Sequence, residues 1–167
     1  MKSWLLRLVL LCISIPSFAQ VDSTTPPYKK FPTLPPIQIL LGDSITKYTK
    51  ENLPLNKPVL FMLFSPDCSH CQHETEELLA HKDYLKNIQV VMITLNPLWQ
   101  MNEFVSRYGL NDVKNIVVGK DIYYILPSFY AIHNLPFHAL YNKKGDLISA
   151  FEGSIKIENL LQTLDNR

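Results

Sequence analysis

Val59-Leu60-Phe61-Met62-Leu63-Phe64-Ser65-Pro66-Asp67-Cys68-Ser69-His70-Cys71-Gln72-His73-Glu74-Thr75-Glu76-Glu77-Leu78-Leu79 places two cysteines three residues apart, soon after six consecutive apolar residues. The apolar run, bounded by Pro58 and by Ser65-Pro66-Asp67, reads as a buried strand. The residues from Ser65 onward read as a turn and then a helix whose first turn holds both sulfurs. A strand feeding a helix in this way is a redox-site arrangement.

The N-terminus has the pattern of a targeting segment. Lys2 and Arg7 supply positive charge, Leu8 to Ile15 is an apolar core, and Pro16 breaks it. Ser17 and Ala19 are small residues at the positions a signal peptidase reads. The apolar core is too short to span a bilayer of about 30 Å as a helix. The expectation is a signal peptide over residues 1–19, removed on export to the periplasm. A lipidated Cys12 is disfavoured by the bulky Leu10 and Leu11 before it.

Cleavage after Ala19 leaves 148 residues, enough for one domain with a sizeable core. It also leaves 14 basic against 15 acidic side chains, so nothing points to nucleic acid or to an anionic membrane surface. No second stretch is long and apolar enough to span a membrane. Only Cys68 and Cys71 remain as cysteines. Closing so short a loop constrains the unfolded chain least, so the pair is explained by chemistry rather than stapling.

Residues 20–36 read as an extended, poorly packed lead-in, with five prolines between positions 22 and 36. A domain over 37–167 comes next. It opens with a hairpin, Ile37 to Leu41 and Ile45 to Tyr48, turning at Gly42-Asp43-Ser44. After the Val59 strand, Glu74 to Tyr84 has a helical pattern and Val90 to Leu95 is a second buried strand. Strand, helix and strand make a βαβ unit with parallel strands. A helix is expected over Trp99 to Tyr108 with Gly109 as its C-cap, then a short strand over Asn115 to Val118. Asp121 to His133 reads as partly helical and interrupted by Pro127. Phe137 to Tyr141 and Leu147 to Phe151 form an antiparallel pair around a turn at Asn142-Lys143-Lys144-Gly145. Ser154 is read as the cap of a last helix, Ile155 to Leu164. The class is α/β, with a central mixed sheet flanked by helices.

With Cys68 as helix cap and Cys71 one turn in, both sulfurs share a face at a separation a disulfide can close. The free N–H groups and the positive end of the macrodipole favour a thiolate at Cys68, the nucleophile of disulfide exchange. Cys71 stands ready to resolve the mixed disulfide. A protonated His70 between them adds positive charge near Cys68, while Asp67 opposes it; both also suit a polar turn. Cys68, His70, Cys71 and His73 are a cluster of soft ligands, so a Cu(I)-binding module is an alternative. Structural zinc sites draw ligands from a second segment, and only His133 and His138 are at hand. A peroxidase of the peroxiredoxin kind is a further alternative on Ser65-x-x-Cys68, weakened by Phe61 where that motif has proline. His73, His81, His133 and His138 are otherwise read as surface or satisfied polar residues. No cofactor is called for and no metal ligand is assigned.

The ordered features together resemble the thioredoxin-fold family, and within it the exported thiol-disulfide oxidoreductases of the TlpA/ResA type. They are the lead-in hairpin around Gly42-Asp43, Lys57-Pro58-Val59-Leu60-Phe61, Cys68-Ser69-His70-Cys71, and the string from Asn134-Leu135-Pro136-Phe137 to Gly145. The resemblance covers residues 37 to 165. It implies Cys68 as the attacking and Cys71 as the resolving cysteine. It implies that Pro136 is preceded by a cis bond and that Leu135 and Pro136 line a substrate groove. It implies Glu74 as an active-site carboxylate able to exchange a proton with Cys71; a first-turn acid favoured by the helix dipole is the plainer reading. An inserted element is expected before the cis-proline strand, because 64 residues separate Cys71 from Pro136.

Departures bear on direction. Ser69-His70 stands where thioredoxin has Gly-Pro, a histidine in that slot being the arrangement of DsbA-like oxidases. Asp67 replaces a tryptophan, and Met62 occupies the place of thioredoxin's buried strand aspartate. The implied activity is disulfide exchange with protein substrates, leaning to reduction. The implied partners are protein thiols and disulfides and a membrane-bound electron donor, with the chain itself a monomer.

Overall fold

The structure is a computed structural model that describes residues 25–165. The expected signal peptide lies outside these residues. Among the described residues, seven strands form one mixed sheet: β1 (Gln38–Leu40), β2 (Lys47–Thr49), β3 (Val59–Phe64), β4 (Gln89–Thr94), β5 (Ile116–Asp121), β6 (Phe137–Tyr141) and β7 (Leu147–Glu152). Their spatial order is β2-β1-β5-β4-β3-β6-β7. β3, β4 and β5 are parallel; β6 runs antiparallel to β3, and β7 to β6. The β1–β2 hairpin closes the other edge, with β1 antiparallel to β5.

β3 and β4 are buried along their whole length because helices cover both sheet faces. Alternation then assigns side chains to faces. Leu60, Met62 and Phe64 join the cluster under α2 (Ser69–Ala80), α3 (Lys82–Leu85), α4 (Leu98–Tyr108) and α6 (Ile157–Asp165). Val59, Phe61 and Leu63 join the opposite cluster with Leu126 and Tyr130 of α5 (Ile125–Tyr130) and Ile37 and Ile39. α5 lies between β5 and β6, ahead of the proline-led strand. Gly109 takes the left-handed conformation at φ 62° and ends α4, a role that favours glycine because it lacks a Cβ.

Several boundaries differ from the sequence reading. The helix begins at Ser69 behind the expected Cys68 cap, but it stops before Tyr84, at His81, which leaves helical geometry while its ring Nδ1 lies 2.9 Å from the Glu77 carbonyl. Pro127 does not interrupt α5; it is the third residue, within the first turn, where a missing N–H costs nothing. β5 runs three residues beyond Val118. The last helix starts at Ile157 rather than Ile155, and the Ile155 amide donates instead to Glu74 Oε2 (3.2 Å).

The lead-in is less loose than its composition suggested. Residues Pro27–Lys30 form a short helix, α1, and Tyr28 packs on Tyr130 with ring centroids 5.5 Å apart. The Leu147 amide donates to the Pro32 carbonyl (2.8 Å) and the Leu34 amide to the Gly145 carbonyl (3.1 Å). Proline fixes φ without preventing such contacts, and here a strap lies along the β6–β7 turn.

β1 approaches β5 closely at Gly119, where an added Cβ would fall 2.6 Å from Ile39 Cδ1 and 3.0 Å from its Cβ. Ile39 is fully buried and cannot yield freely. Gly119→Ala is expected to destabilise the protein by about 1–3 kcal/mol, read from the midpoint of urea unfolding. An unchanged midpoint would mean that the hairpin is not packed as described.

Candidate active site

The site is built where β3 turns into α2. Cys68 is the N-cap, at φ −85° and ψ 114°, and its Sγ accepts from the Cys71 amide (3.3 Å). A sulfur in this position receives one of the N–H groups that a helix start leaves free, which supports negative charge on it. The turn is held from both sides. The Cys68 amide donates to the Ser65 carbonyl (3.1 Å), and Gln72 Nε2 donates to the Pro66 carbonyl (2.7 Å). Both cysteines are free thiols, Cys68 half-buried and Cys71 buried.

The two sulfurs thus have unequal surroundings. Burial pushes the Cys71 thiol up to about 12, helped by its contact with Cys68 and by the nearby Glu74 carboxyl. Desolvation disfavours the charged form, so Cys71 keeps its proton across the physiological range. Cys68 can be reached from outside; Cys71 must be unmasked.

β6 supplies the wall facing the sulfur. Its register sets Leu63 opposite Phe137 and Met62 opposite His138, so the residues before Phe137 lie beside the end of β3. The Leu135–Pro136 peptide is cis. Cys68 Sγ lies 3.9 Å from the Leu135 carbonyl, long but within reach for a thiol donor. The loop is pinned to β7: the His133 amide and Asn134 Nδ2 donate to the two Glu152 carboxylate oxygens (2.7 Å each), and the Gly153 amide donates to the Pro136 carbonyl (2.7 Å). On the other side of the turn a cleft of about 240 Å³ opens between Pro66, Asp67, Gln72, Phe104 and Trp99, whose side chain is exposed.

Cys68, Cys71, Leu135 and Pro136 are therefore brought together. His70 is exposed on the turn. Of the soft-ligand cluster, His73 is exposed and lies 3.9 Å from Glu76; outside it, His81 lies near Glu77 and Glu158. Among the described residues no three His, Cys, Asp or Glu side chains gather as metal ligands. Glu74, expected as an active-site carboxylate or as a first-turn acid favoured by the helix dipole, is buried one turn beyond Cys71. Burial raises its carboxyl above the ordinary range, against the lowering effect of the Ile155 amide and the Ser154 hydroxyl.

His138 corrects the sequence reading outright. It is neither at the surface nor satisfied. It is fully buried, and neither ring nitrogen has a hydrogen-bond partner. Nε2 lies 3.6 Å from Glu74 Oε1, which is also unpartnered. At that distance the two form a close polar pair rather than a hydrogen bond. Burial lowers the imidazole to about 4, the Gly153 backbone opposing. A histidine in an otherwise apolar strand, Phe137 to Tyr141, was the one signal available for it.

A family model described as a thioredoxin-like domain matches residues 46–167. A search of curated proteins returned no match. Among solved structures, a secreted Mycobacterium tuberculosis disulfide oxidoreductase homologous to E. coli DsbE is 17% identical, with a TM-score of 0.64 over 78% of this chain and 96% of that one. StoA from Bacillus subtilis is 16% identical, with a TM-score of 0.60 over 79% and 98%. The thioredoxin domain of a thiol-disulfide oxidoreductase from Bacteroides vulgatus is 18% identical, with a TM-score of 0.63 over 78% and 93%. At these identities the likeness is one of fold.

Two outcomes are expected. Brief iodoacetamide treatment of the reduced protein at neutral pH should modify Cys68 and spare Cys71, read by peptide mass; equal labelling would contradict the buried Cys71. The second outcome concerns acid stability. Between pH 6.5 and about 4 the unfolded chain protonates His138 while the folded protein does not. Stability contributed by the neutral imidazole is full above pH 6.5 and is lost as pH falls toward 4, by roughly 3 kcal/mol in all. Glu74 has the opposite sign, since its raised value makes the folded state lose stability as pH rises above the ordinary carboxylate range. His138→Leu should therefore flatten the acid limb of a urea-stability profile between pH 6.5 and 4. An unaltered limb would show that His138 is charged or solvated in the native state.

Proposed function

This chain belongs to the thioredoxin-like domain family, and from that premise we propose that it is a thiol-disulfide oxidoreductase that reduces disulfides in other proteins. The observation that carries the reading is the asymmetry of the pair: a half-exposed Cys68 Sγ on a helix cap, facing the Leu135 carbonyl, with a proton-bearing Cys71 buried one turn behind. Cys68 attacks a client disulfide and Cys71 resolves the mixed disulfide. Leu135 and Pro136 form the groove against which an extended client segment lies. His70, exposed beside Cys68, adds positive charge to the turn when protonated.

Export is inferred from the segment at 1–19, and the working place is the periplasm. The partners are protein thiols and disulfides, with a membrane-bound donor to restore the dithiol and the chain acting as a monomer. Among the described residues no helix is long and apolar enough to cross a membrane. Reduction is favoured because the sequence pattern lies nearest the reductases of this fold.

Insulin reduction in the presence of dithiothreitol should fall to background in Cys68→Ser, and Cys71→Ser should accumulate mixed disulfides with client proteins. Insulin turnover unaffected by Cys68→Ser would end the proposal. The potential of the couple fixes direction: a value near about −270 mV suits a reductant, and one near about −120 mV an oxidant.

A further inference from the structure

We infer that His138 is a positioning residue of the redox site: acting through Glu74, it holds the proton that Cys71 must surrender in order to close on Cys68. The inference rests on the oxidoreductase reading and adds to it a fully buried residue of β6. Leaving a buried polar atom unpaired costs about 1–3 kcal/mol. Three such atoms are gathered here: Glu74 Oε1, His138 Nδ1 and His138 Nε2. Nothing in the sheet demands an imidazole, since its cross-strand partner is Met62 and its ring stacks on Phe151 at 5.0 Å. A leucine or valine would suit the strand better. What the imidazole adds is a proton site, 3.6 Å from a carboxyl that lies one helical turn from Cys71 on the same buried face.

Few groups face this pair. From β3 the facing residue is Met62, from β7 Phe151, and from the loop after β7 the Gly153 backbone, the Ser154 hydroxyl and the Ile155 amide. On α2 itself the titratable neighbours are Cys71, His73 and Glu77. Of these, His73 is exposed and Glu77 half-exposed. Burial shifts both groups toward their neutral forms, raising the carboxyl and lowering the imidazole. The relay takes the carboxyl as the partner that bears the transferable proton.

Cys68 thiolate attacks a client disulfide; the client S–S bond breaks, a Cys68–client S–S bond forms, and one client sulfur leaves as thiolate. Cys71 then gives its proton to Glu74 as the proton already on Glu74 passes to His138. The site now holds a Cys71 thiolate, a protonated Glu74 and an imidazolium, one negative and one positive charge, so its net charge is unchanged. Cys71 attacks the Cys68 sulfur, the Cys68–Cys71 bond forms, and the second client sulfur leaves with its electron pair. The imidazolium proton returns through Glu74 to that thiolate or to water. Two electrons have moved from the dithiol to the client disulfide. Without His138, a protonated Glu74 has no vacancy for the Cys71 proton, and ionising Cys71 would leave a net charge in a buried site.

The test uses the reduced protein and Ellman's reagent, monitored by stopped flow. The first thionitrobenzoate released reports attack by Cys68, and the second reports attack by Cys71 on the Cys68 mixed disulfide. In His138→Leu and in His138→Asn the ratio of second-phase to first-phase rate should fall tenfold or more at pH 7. The second phase should also steepen to about tenfold per pH unit, as for a thiol ionising alone. Glu74→Gln should lower the ratio similarly, and the Glu74→Gln/His138→Leu double variant should lower it no further, because the two residues act as one unit. A ratio and pH profile matching the unaltered protein in either His138 variant overturns the inference, as does an asparagine that restores what leucine loses. A missing first phase in the unaltered protein instead removes the oxidoreductase reading itself. Should neither His138 variant fold, the ring ¹⁵N resonances of His138 in the unaltered protein are titrated in the dithiol and disulfide forms. Titrations that differ support the relay, and superimposable ones overturn it.

Discussion

The antiparallel register between β3 and β6, Leu63 opposite Phe137, is the constraint on which the site depends. Side chains alternate along a strand, so a slip of one residue would send every β6 side chain to the wrong face. The register as found does two things at once. It sets the Leu135 carbonyl beside the Cys68 sulfur, and it turns His138 onto the face under α2, where Met62 and Cys71 already lie. The open and the buried sides of the site are therefore not independently adjustable. β3 is held in turn by a six-residue parallel ladder to β4, and both strands are fully buried, which leaves the register little freedom.

The wall facing Cys68 is anchored away from the sulfurs. Glu152 takes the His133 amide and the Asn134 side chain on its two oxygens, and these hydrogen bonds hold its carboxyl below the usual carboxylate range. With the Gly153 amide on the Pro136 carbonyl, the loop is fixed to β7 by three bonds of 2.7 Å. The cysteines belong to β3 and α2. Opening and closing a sulfur bond can thus repack the first turn of α2 without dragging the Leu135–Pro136 wall along, which suits the client groove proposed there.

Much of this was legible in the sequence, for reasons that can be named. β3 is an unbroken apolar run, β4 and β6 are largely apolar, and the turn at Asn142 and the helix stop at Gly109 have residues suited to their backbone. Cys68 and Cys71 announce themselves by spacing after a strand. The boundaries that shifted were set by tertiary contacts. α6 starts late because Glu74 draws the Ile155 amide away from a helix start, and residues 27–34 are ordered by Tyr130 and the β6–β7 turn, which lie more than a hundred residues on. Glu74 looked like an ordinary first-turn acid because its burial comes from β6 and the segment before α6, which no local pattern reports. His138 was misread for the same reason. Burial of a polar residue in a strand is a property of what lies across the sheet and above it.

Met62 makes sense of the buried pair. On the covered face of β3, between Leu60 and Phe64 and in the same cluster as Cys71, it carries a thioether, which neither takes nor gives a proton. A resolving thiol as strongly masked as Cys71 nevertheless requires some group nearby to accept its proton. In the inferred relay that group is split between two elements, a carboxyl from α2 and an imidazole from β6, each shifted by burial toward its neutral form. A neutral pair can separate charge for the moment when Cys71 ionises, so the buried site gains no net charge. The division also ties the proton site to the sheet register, because His138 meets Glu74 only while Met62 faces it across the ladder.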